Sequence, residues 1–192
     1  MVTGTRSPTR SGAGPTDAAL VVAARAGERW AQEALFQRHA RLVVGLAQRL
    51  LPRSADAEDL VQDAFVYAFR RLDTLKNPQA FASWIASITV RTASKRVRRQ
   101  RLLARLGLHR SEPIDVDGLV ASGAPADVAS ELLGIYTLLD RLPAEQRIAL
   151  VLRRVEGMEL TEIAEHMGLS LATVKRRLTV AEARLRRALH RE

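Results

Sequence analysis

Apolar residues recur at helical spacing along most of the chain, and this periodicity constrains the fold more than any other feature. One uninterrupted stripe consists of Ala57, Leu60, Val61, Ala64, Phe65 and Ala68. Spacings of three and four residues place such side chains on one face of an α-helix. No segment alternates apolar and polar residues with the period of two that is typical of strands. The sequence therefore predicts an all-α fold.

Two small helical domains joined by a flexible linker are predicted. Residues 1–15 are rich in Gly, Ser, Thr and Pro without apolar periodicity, which indicates a disordered tail. Residues 107–127 carry glycines, prolines and acids in a similarly aperiodic stretch, which indicates a linker. We therefore assign the first domain to 16–104, the linker to 105–130 and the second domain to 131–192.

The helices are predicted from the same periodicity. In the first domain the pattern is helical throughout from Asp17 to Leu51, a second helix carries the apolar stripe, and a third begins near Gln79. In the second domain we expect helices at about 130–141, 144–156, 160–167 and 171–190.

The positive charge is concentrated in one segment. The chain has 30 basic and 21 acidic residues, a net charge of +9, and the segment from Arg91 to Arg110 contains eight basic residues and no acidic one. Nearly the whole net charge thus lies there, which favours contact with a polyanion such as a nucleic acid. The alternative is a solvated arginine-rich face in a chain that uses arginine far more often than lysine.

Composition excludes several classes of site. Without cysteine there is no disulfide, no thiolate zinc site and no cysteine nucleophile. The four histidines are scattered without ligand spacing, so we expect no metal, no cofactor and no catalytic residues. The apolar runs are far shorter than the ~20 residues that span a bilayer, and the N-terminus lacks the apolar core of a secretory signal. A cytoplasmic protein without membrane insertion is expected.

Residues Leu160–Leu178 fit a helix-turn-helix. Ala164 is small where two helices would cross, Gly168 can adopt the positive φ of a tight turn, and Val174 would pack the second helix on the first. Ser170 is placed to cap that second helix. The residues predicted to contact DNA are Ser170, Leu171, Ala172, Thr173, Lys175, Arg176 and Arg177. An ordinary helical hairpin with a glycine turn is the alternative.

Several motifs, taken in order, carry a family resemblance. They are DAEDLVQDAF at Asp56–Phe65, FASWI at Phe81–Ile85, RRQR at Arg98–Arg101, LPAEQR at Leu142–Arg147, Glu156-Gly157 and the helix-turn-helix. With them the chain resembles a bacterial RNA polymerase sigma factor of the extracytoplasmic-function (ECF) type in the sigma-70 family. The match covers roughly residues 17–104 and 131–190.

The resemblance implies a docking helix for polymerase. In the family, the helix matching Asp56–Arg71 binds a coiled coil of the largest polymerase subunit. The implied polymerase-binding residues are Asp59, Gln62, Asp63 and Val66. Without the family, the better explanation is that Asp59 and Asp63 complement the helix N-terminus and keep the surface soluble.

The resemblance also implies a surface that opens promoter DNA at the upstream-ten element. The implied DNA-binding residues are Lys76, Asn77, Arg91, Lys95, Arg96, Arg98 and Arg99. Phe81 and Trp84 are expected in the core rather than as stacking platforms. The chain departs from the family at Arg91, commonly Asn, and at Lys95, commonly Asp, so a borrowed promoter consensus would be unsafe.

Two further departures lie in the helix-turn-helix. Glu159 stands where the family usually has a capping Ser, and Ala172 stands where it usually has Gly. We expect neither substitution to break the fold.

The resemblance implies a promoter-specificity subunit with no catalytic chemistry. Its partners would be core RNA polymerase and promoter DNA, with the recognition helix at the upstream thirty-five element. Factors of this type are often held by an anti-sigma factor. The alternatives are a stand-alone helix-turn-helix regulator that binds duplex DNA without polymerase, a nuclease or nucleotidyl transferase, and a pure adaptor.

Overall fold

The computed structural model describes residues 14–51, 53–108 and 126–189, and this part of the chain is helical without a strand. The all-α prediction is confirmed. The α-helices of the described residues are α1 (Asp17–Arg25), α2 (Arg29–Leu50), α3 (Ser54–Arg70), α4 (Phe81–Arg105), α5 (Ala126–Asp140), α6 (Ala144–Arg154), α7 (Leu160–Met167) and α8 (Leu171–Leu189). Single 3₁₀ turns lie at Leu72–Thr74 and Pro78–Ala80. Most of the predicted tail and linker lies outside the described residues.

The prediction of unbroken helix from Asp17 to Leu51 is wrong at one place. Gly27 adopts a φ of +90°, in the left-handed region that glycine tolerates, and separates α1 from α2. The chain then reverses, and α1 packs against α2. Asp17 fastens the pair, since its carboxylate accepts hydrogen bonds from Arg38 at 2.7 Å and from His39 at 3.0 Å.

Helices α1–α4 form the first helical group, around a buried apolar core that we call the first-group cluster. Its members are Leu20, Val21, Ala24, Ala31, Leu35, Val43, Ala64, Phe65, Ala68, Leu72, Leu75, Phe81, Ile85 and Ile88. Phe81 is fully buried and Trp84 packs against this cluster half-buried, with the two ring centroids 6.0 Å apart. The expectation that both aromatic rings belong to the core is confirmed.

A second core, the junction cluster, joins the first group to the second helical group, α5–α8. From the first group it takes Leu46, Ala47, Leu50, Leu51, Ala57, Leu60, Ala86, Val90, Ala93 and Val97. From the second it takes Tyr136, Leu139, Leu142, Ala144, Ile148, Ala149, Leu150, Val151, Leu152, Ile163, Ala164, Val174, Leu178 and Ala181. Helix α4 packs on α6 and α7, and α2 packs on α6. The two groups are therefore in direct contact.

Helices α7 and α8 form the predicted helix-turn-helix. Gly168 has a φ of +65° in the turn, and Ala164 and Val174 are buried where the helices meet. The Ser170 hydroxyl caps α8 by accepting the Thr173 N–H at 3.3 Å. At the start of α7, the Glu162 carboxylate accepts the Glu159 N–H at 2.8 Å, so this terminus is capped without the family's serine.

Replacing Gly168 by alanine should destabilise the protein. A residue with a Cβ pays about 1–2 kcal/mol to adopt the left-handed conformation of this turn. We expect Gly168→Ala to lower the free energy of unfolding by that amount in urea denaturation.

Gly134→Ala is the matched control, because Gly134 lies inside α5, where an added Cβ would have no heavy atom within 4 Å. There alanine should stabilise the helix by up to about 1 kcal/mol. Equal effects at the two glycines would contradict the role assigned to the turn.

Candidate nucleic-acid interface

The four residues implied to bind polymerase all lie on the outer face of α3. Asp59, Gln62, Asp63 and Val66 are exposed, whereas the apolar stripe of the same helix is buried or partly buried. The side chains of Asp59 and Asp63 are 67% and 57% exposed. The structure thus brings these residues together on one accessible acidic surface.

Arg96 of α4 lies beside this acidic surface. Its guanidinium donates to Asp59 at 3.0 Å and to Asp63 at 2.7 Å. Partial burial acts to lower the pKa of Arg96, but the two carboxylates outweigh it and raise that pKa. An implied DNA-binding cation is therefore paired with two implied polymerase-binding acids.

The other cations of α4 divide into engaged and free side chains. Arg98 donates to Glu145 of α6 at 2.8 Å. Lys95 and Arg99 are exposed and have no hydrogen bond or ion pair within the described parts of the chain. Among the implied DNA-binding cations of α4, these two are the ones without a partner in the described residues.

Arg91 caps the end of α7. Its guanidinium donates to the backbone carbonyls of Glu165 at 3.0 Å and His166 at 3.2 Å. The last carbonyls of a helix lack intrahelical partners, and a cation there is favoured by the helix dipole. Arg91, which stands where the family commonly has Asn, therefore connects α4 to the helix-turn-helix.

The loop before α4 presents Lys76 and Asn77 to solvent. The Asn77 side-chain oxygen accepts the Gln79 N–H at 3.1 Å and so caps the second 3₁₀ turn. Arg25 of α1 holds the preceding turn by donating to the carbonyls of Leu72 and Leu75. The loop is thus fixed to the first group while its polar side chains remain accessible.

The face of α8 that points away from α7 carries two cations. Leu171, Ala172, Lys175 and Arg176 are exposed, and Thr173 is half-buried. With Ser170 capping its first turn, α8 offers an exposed N-terminus and a cationic side, which suit phosphate and base contacts in a major groove. The predicted contacts from Ser170 to Arg176 therefore lie together at one accessible end of α8, and Val174 between them is buried.

Arg177 has a different environment from its neighbours. It is half-buried and pairs with Glu145 at 2.5 Å, while the other oxygen of Glu145 accepts from Arg98. Two implied DNA-binding arginines from different helical groups thus share one carboxylate. For Arg98 or Arg177 to bind another anion, its ion pair with Glu145 must first break.

Several polar contacts between the groups were not predicted from the sequence. Arg49 pairs with Glu156 at 2.9 Å, and the Ser87 hydroxyl lies 2.7 Å from Nδ1 of His166. These partners are 107 and 79 residues apart, and no local spacing marks such pairs. The only sequence signal for an interface between the two helical groups is the apolar stripe of each helix that carries these residues.

His166 lies within the contact between α4 and α7. Burial lowers the pKa of its imidazole, the Arg91 guanidinium acts in the same direction, and Glu162 and Glu165 oppose it. The neutral imidazole is therefore favoured at this position, where it hydrogen-bonds Ser87.

Metal-ligating clusters and membrane-spanning helices are both absent from the described residues. These ranges contain no group of three or more His, Asp or Glu side chains placed to hold a metal ion. None of their helices has both the length and the apolar character needed to cross a membrane.

Comparison with known sequences identifies two family regions. The family model for Sigma-70 region 2 matches residues 35–102, and that for Sigma-70, region 4 matches residues 132–189. The chain is 34% identical over 175 residues to the ECF RNA polymerase sigma factor SigM of Mycobacterium tuberculosis (strain ATCC 25618 / H37Rv), covering 91% of this chain and 85% of SigM. It is 32% identical over 177 residues to the ECF RNA polymerase sigma-E factor of Escherichia coli (strain K12), covering 85% and 88%.

Two solved structures resemble this one. CnrH, solved in complex with the cytosolic domain of CnrY, has a TM-score of 0.57 and 29% identity over 93% of this chain and 99% of CnrH. RpoE of Bartonella quintana, solved with the anti-sigma factor NepR, has a TM-score of 0.59 and 22% identity over 82% and 96%. The second likeness concerns the fold alone.

Acidification should weaken the structure through His166. Its pKa in the folded chain is lowered from an unfolded value of about 6.5, so its stabilising contribution is complete above that pH and is lost as pH falls toward the folded pKa. We expect the unfolding free energy of the wild type to fall more steeply than that of His166→Gln between about pH 7.5 and pH 5. Parallel pH profiles from urea denaturation would contradict this role.

Proposed function

The chain belongs to the sigma-70 family as an ECF RNA polymerase sigma factor, and from this premise we propose which of its surfaces binds polymerase and which bind DNA. As such a factor it binds core RNA polymerase and directs initiation at a class of promoters. The proposed assignment gives region 2 to residues 16–104, region 4 to 131–192 and the linker to 105–130. The observation that carries the assignment is the presence, on one chain, of an exposed acidic face on α3 and an exposed cationic face on α8.

The polymerase contact is assigned to α3. Asp59, Gln62, Asp63 and Val66 form an accessible surface whose acids complement a basic partner. Polymerase cations would compete with Arg96 for Asp59 and Asp63. Docking would thereby release Arg96 toward the strand that the neighbouring Lys95 is placed to contact.

The contact with the upstream-ten element is assigned to α4 and its preceding loop. Lys76, Asn77, Lys95 and Arg99 are accessible to solvent and so to a DNA strand. The other implied contacts, Arg91, Arg96 and Arg98, are engaged within the chain. They would exchange a carbonyl or carboxylate partner for a phosphate when DNA binds.

The upstream thirty-five contact is assigned to seven residues around the start of α8, namely Ser170, Leu171, Ala172, Thr173, Lys175, Arg176 and Arg177. Arg176 is placed to bond a guanine edge and Lys175 to contact the backbone, and the capped N-terminus of the helix can approach a phosphate. Arg177 would join them after release from Glu145.

Engaging both elements requires the two helical groups to separate. Packed helices lie about 8–10 Å apart, so α4 and α8, which both pack on α7, lie within roughly 20 Å of each other. Two elements about 25 base pairs apart are separated by roughly 85 Å along B-DNA. The closed arrangement is therefore the form of the free chain, and the promoter complex needs an open form.

The remaining parts of the proposal follow from the family. The chain would carry no catalytic chemistry of its own and would act in the cytoplasm, beside the polymerase. An anti-sigma factor is included among the proposed partners because factors of this type are often held by one. A stand-alone regulator is not favoured, since SigM and the sigma-E factor, which this chain resembles along most of its length, are sigma factors.

Reversing the charge of α3 should weaken polymerase binding. For Asp59→Arg combined with Asp63→Arg we expect at least a tenfold loss of affinity for core RNA polymerase, about 1.4 kcal/mol or more, because like charges would then meet. Affinity would be measured by fluorescence anisotropy of the labelled factor.

Two controls separate docking from other effects. Glu33→Arg with Glu131→Arg changes the same charge at exposed residues outside α3 and should bind normally. Arg96→Gln removes the internal partner of the two acids and should bind at least as well as the wild type. If the α3 charge reversal and both control variants lost the same affinity for core RNA polymerase, the docking surface would lie elsewhere.

Arg176→Ala should weaken promoter recognition at one base pair. We expect a loss of about 1–3 kcal/mol at the cognate upstream thirty-five position, with relaxed preference there. Transcription from a library of promoters by the reconstituted holoenzyme measures both effects. Arg187→Ala, an exposed arginine near the other end of α8, is the matched control. Unchanged preference in Arg176→Ala would exclude this residue from base recognition.

A further inference from the structure

A cationic cavity lies between the two helical groups, and none of the implied polymerase or DNA contacts lines it. It has a volume of about 290 Å³ and its polar lining consists of Arg53, Gln100, Arg101, Arg105, Asp140 and Arg147. Four guanidinium groups thus surround one carboxylate. Such an excess of positive charge in a partly enclosed space favours an anion.

The carboxylate and the backbone carbonyl of Asp140 are already engaged by the surrounding arginines. Asp140 receives Arg53 on one carboxylate oxygen at 2.8 Å and Arg147 on the other, and its backbone carbonyl accepts from Arg101 at 2.7 Å. Nη2 of Arg147 donates to the Leu50 carbonyl at 2.9 Å. One carboxylate therefore serves as the anionic partner of several cations.

Arg147 retains an unused donor. Its side chain is only 3% exposed, and its Nε has no hydrogen-bond partner among the described residues. Leaving a charged donor unsatisfied in a buried position is costly. Arg147 lines the cavity, but its Nε is itself buried, so an acceptor in the cavity reaches this atom only after the side chain moves.

The electrostatic environment indicates the same deficit of negative charge. Burial lowers the pKa of Arg147, and the nearby Arg53 and Arg101 add to this effect while Asp140 opposes it. Burial likewise lowers the pKa of Arg101; Asp140 opposes this effect, and the charges of Arg105 and Arg184 add to it. An added anion would offset both the desolvation and the repulsion between the guanidinium groups.

We propose that this cavity binds a small phosphate-bearing anion with the size of a diphosphate group, held by Arg101, Arg105 and Arg147. Guanidinium groups match phosphate oxygens in paired hydrogen bonds, which favours phosphate over chloride. At about 30 Å³ per water the cavity has room for roughly ten waters, enough for a diphosphate with part of its hydration. Arg105 is exposed, so the site is reached from solvent.

The bound anion would connect the two groups. Arg101 and Arg105 belong to α4, whereas Arg147 belongs to α6. An anion between them would stabilise the closed arrangement relative to the open one by binding only the closed form. That regulatory consequence rests on the proposed function, but binding of the anion to the free chain does not.

Isothermal titration of the full chain with pyrophosphate, at constant ionic strength maintained with sodium chloride, tests the site. We expect saturable binding of one anion per chain in the wild type. Arg105→Gln should lower the affinity at least tenfold, and it is the variant of choice because Arg105 is exposed and has no ion-pair partner within the described ranges. Arg41→Gln removes the same charge from an exposed site on α2 and should change the affinity less than twofold.

Three outcomes would overturn the proposal. They are the absence of saturable heat, equal losses in Arg105→Gln and Arg41→Gln, and a stoichiometry of several anions per chain, which would indicate diffuse attraction to the basic helix. Because the titration uses the free chain, it gives the same answer whether or not the factor binds polymerase. Separate failure of the polymerase assay would therefore leave this result intact.

Discussion

Helix α4 supplies apolar side chains to both hydrophobic clusters, and the arrangement of the whole chain depends on this double packing. Phe81 and Ile85 at its start belong to the first-group cluster, whereas Val90, Ala93 and Val97 belong to the junction cluster. The last three are spaced by three and four residues and so lie on one face. A helix of 25 residues is about 37 Å long, which is enough to run through the first group and still offer a face to α6 and α7.

Charged groups around this apolar contact determine how the two groups are oriented. Partly exposed ion pairs are screened by solvent and lose side-chain entropy when they form, so these pairs add less stability than the apolar clusters. Their geometry is nevertheless demanding, since Arg91 must meet two carbonyls of α7 and Glu145 must meet two arginines. The apolar clusters thus provide most of the free energy that packs the two helical groups together. The polar contacts select one relative orientation of the groups. The same polar groups include several that the family resemblance assigns to DNA.

Local features of this structure could be predicted from the sequence, whereas contacts between distant segments could not. The stripe on α3, the turn at Gly168 and the cap at Ser170 each depend on residues within one or two helical turns. The break at Gly27 was missed because apolar periodicity continues on both sides of a single glycine. The pairing of Arg91 with α7 was missed for a different reason, since periodicity shows which face of a helix is apolar but not which other segment covers it. Five cations of α4 were therefore assigned to DNA together, although the structure engages three of them, Arg91, Arg96 and Arg98, within the chain.

The cap that Arg91 provides for α7 also limits how such a chain can evolve. A substitution at this position changes a side chain assigned to promoter DNA and, at the same time, removes the donor to the carbonyls of Glu165 and His166. Selection for a new promoter sequence would then alter the balance between closed and open forms, and selection on that balance would alter the promoters used. Exchange of Arg91 should accordingly be accompanied, in descendants of this protein, by compensating changes at the end of α7.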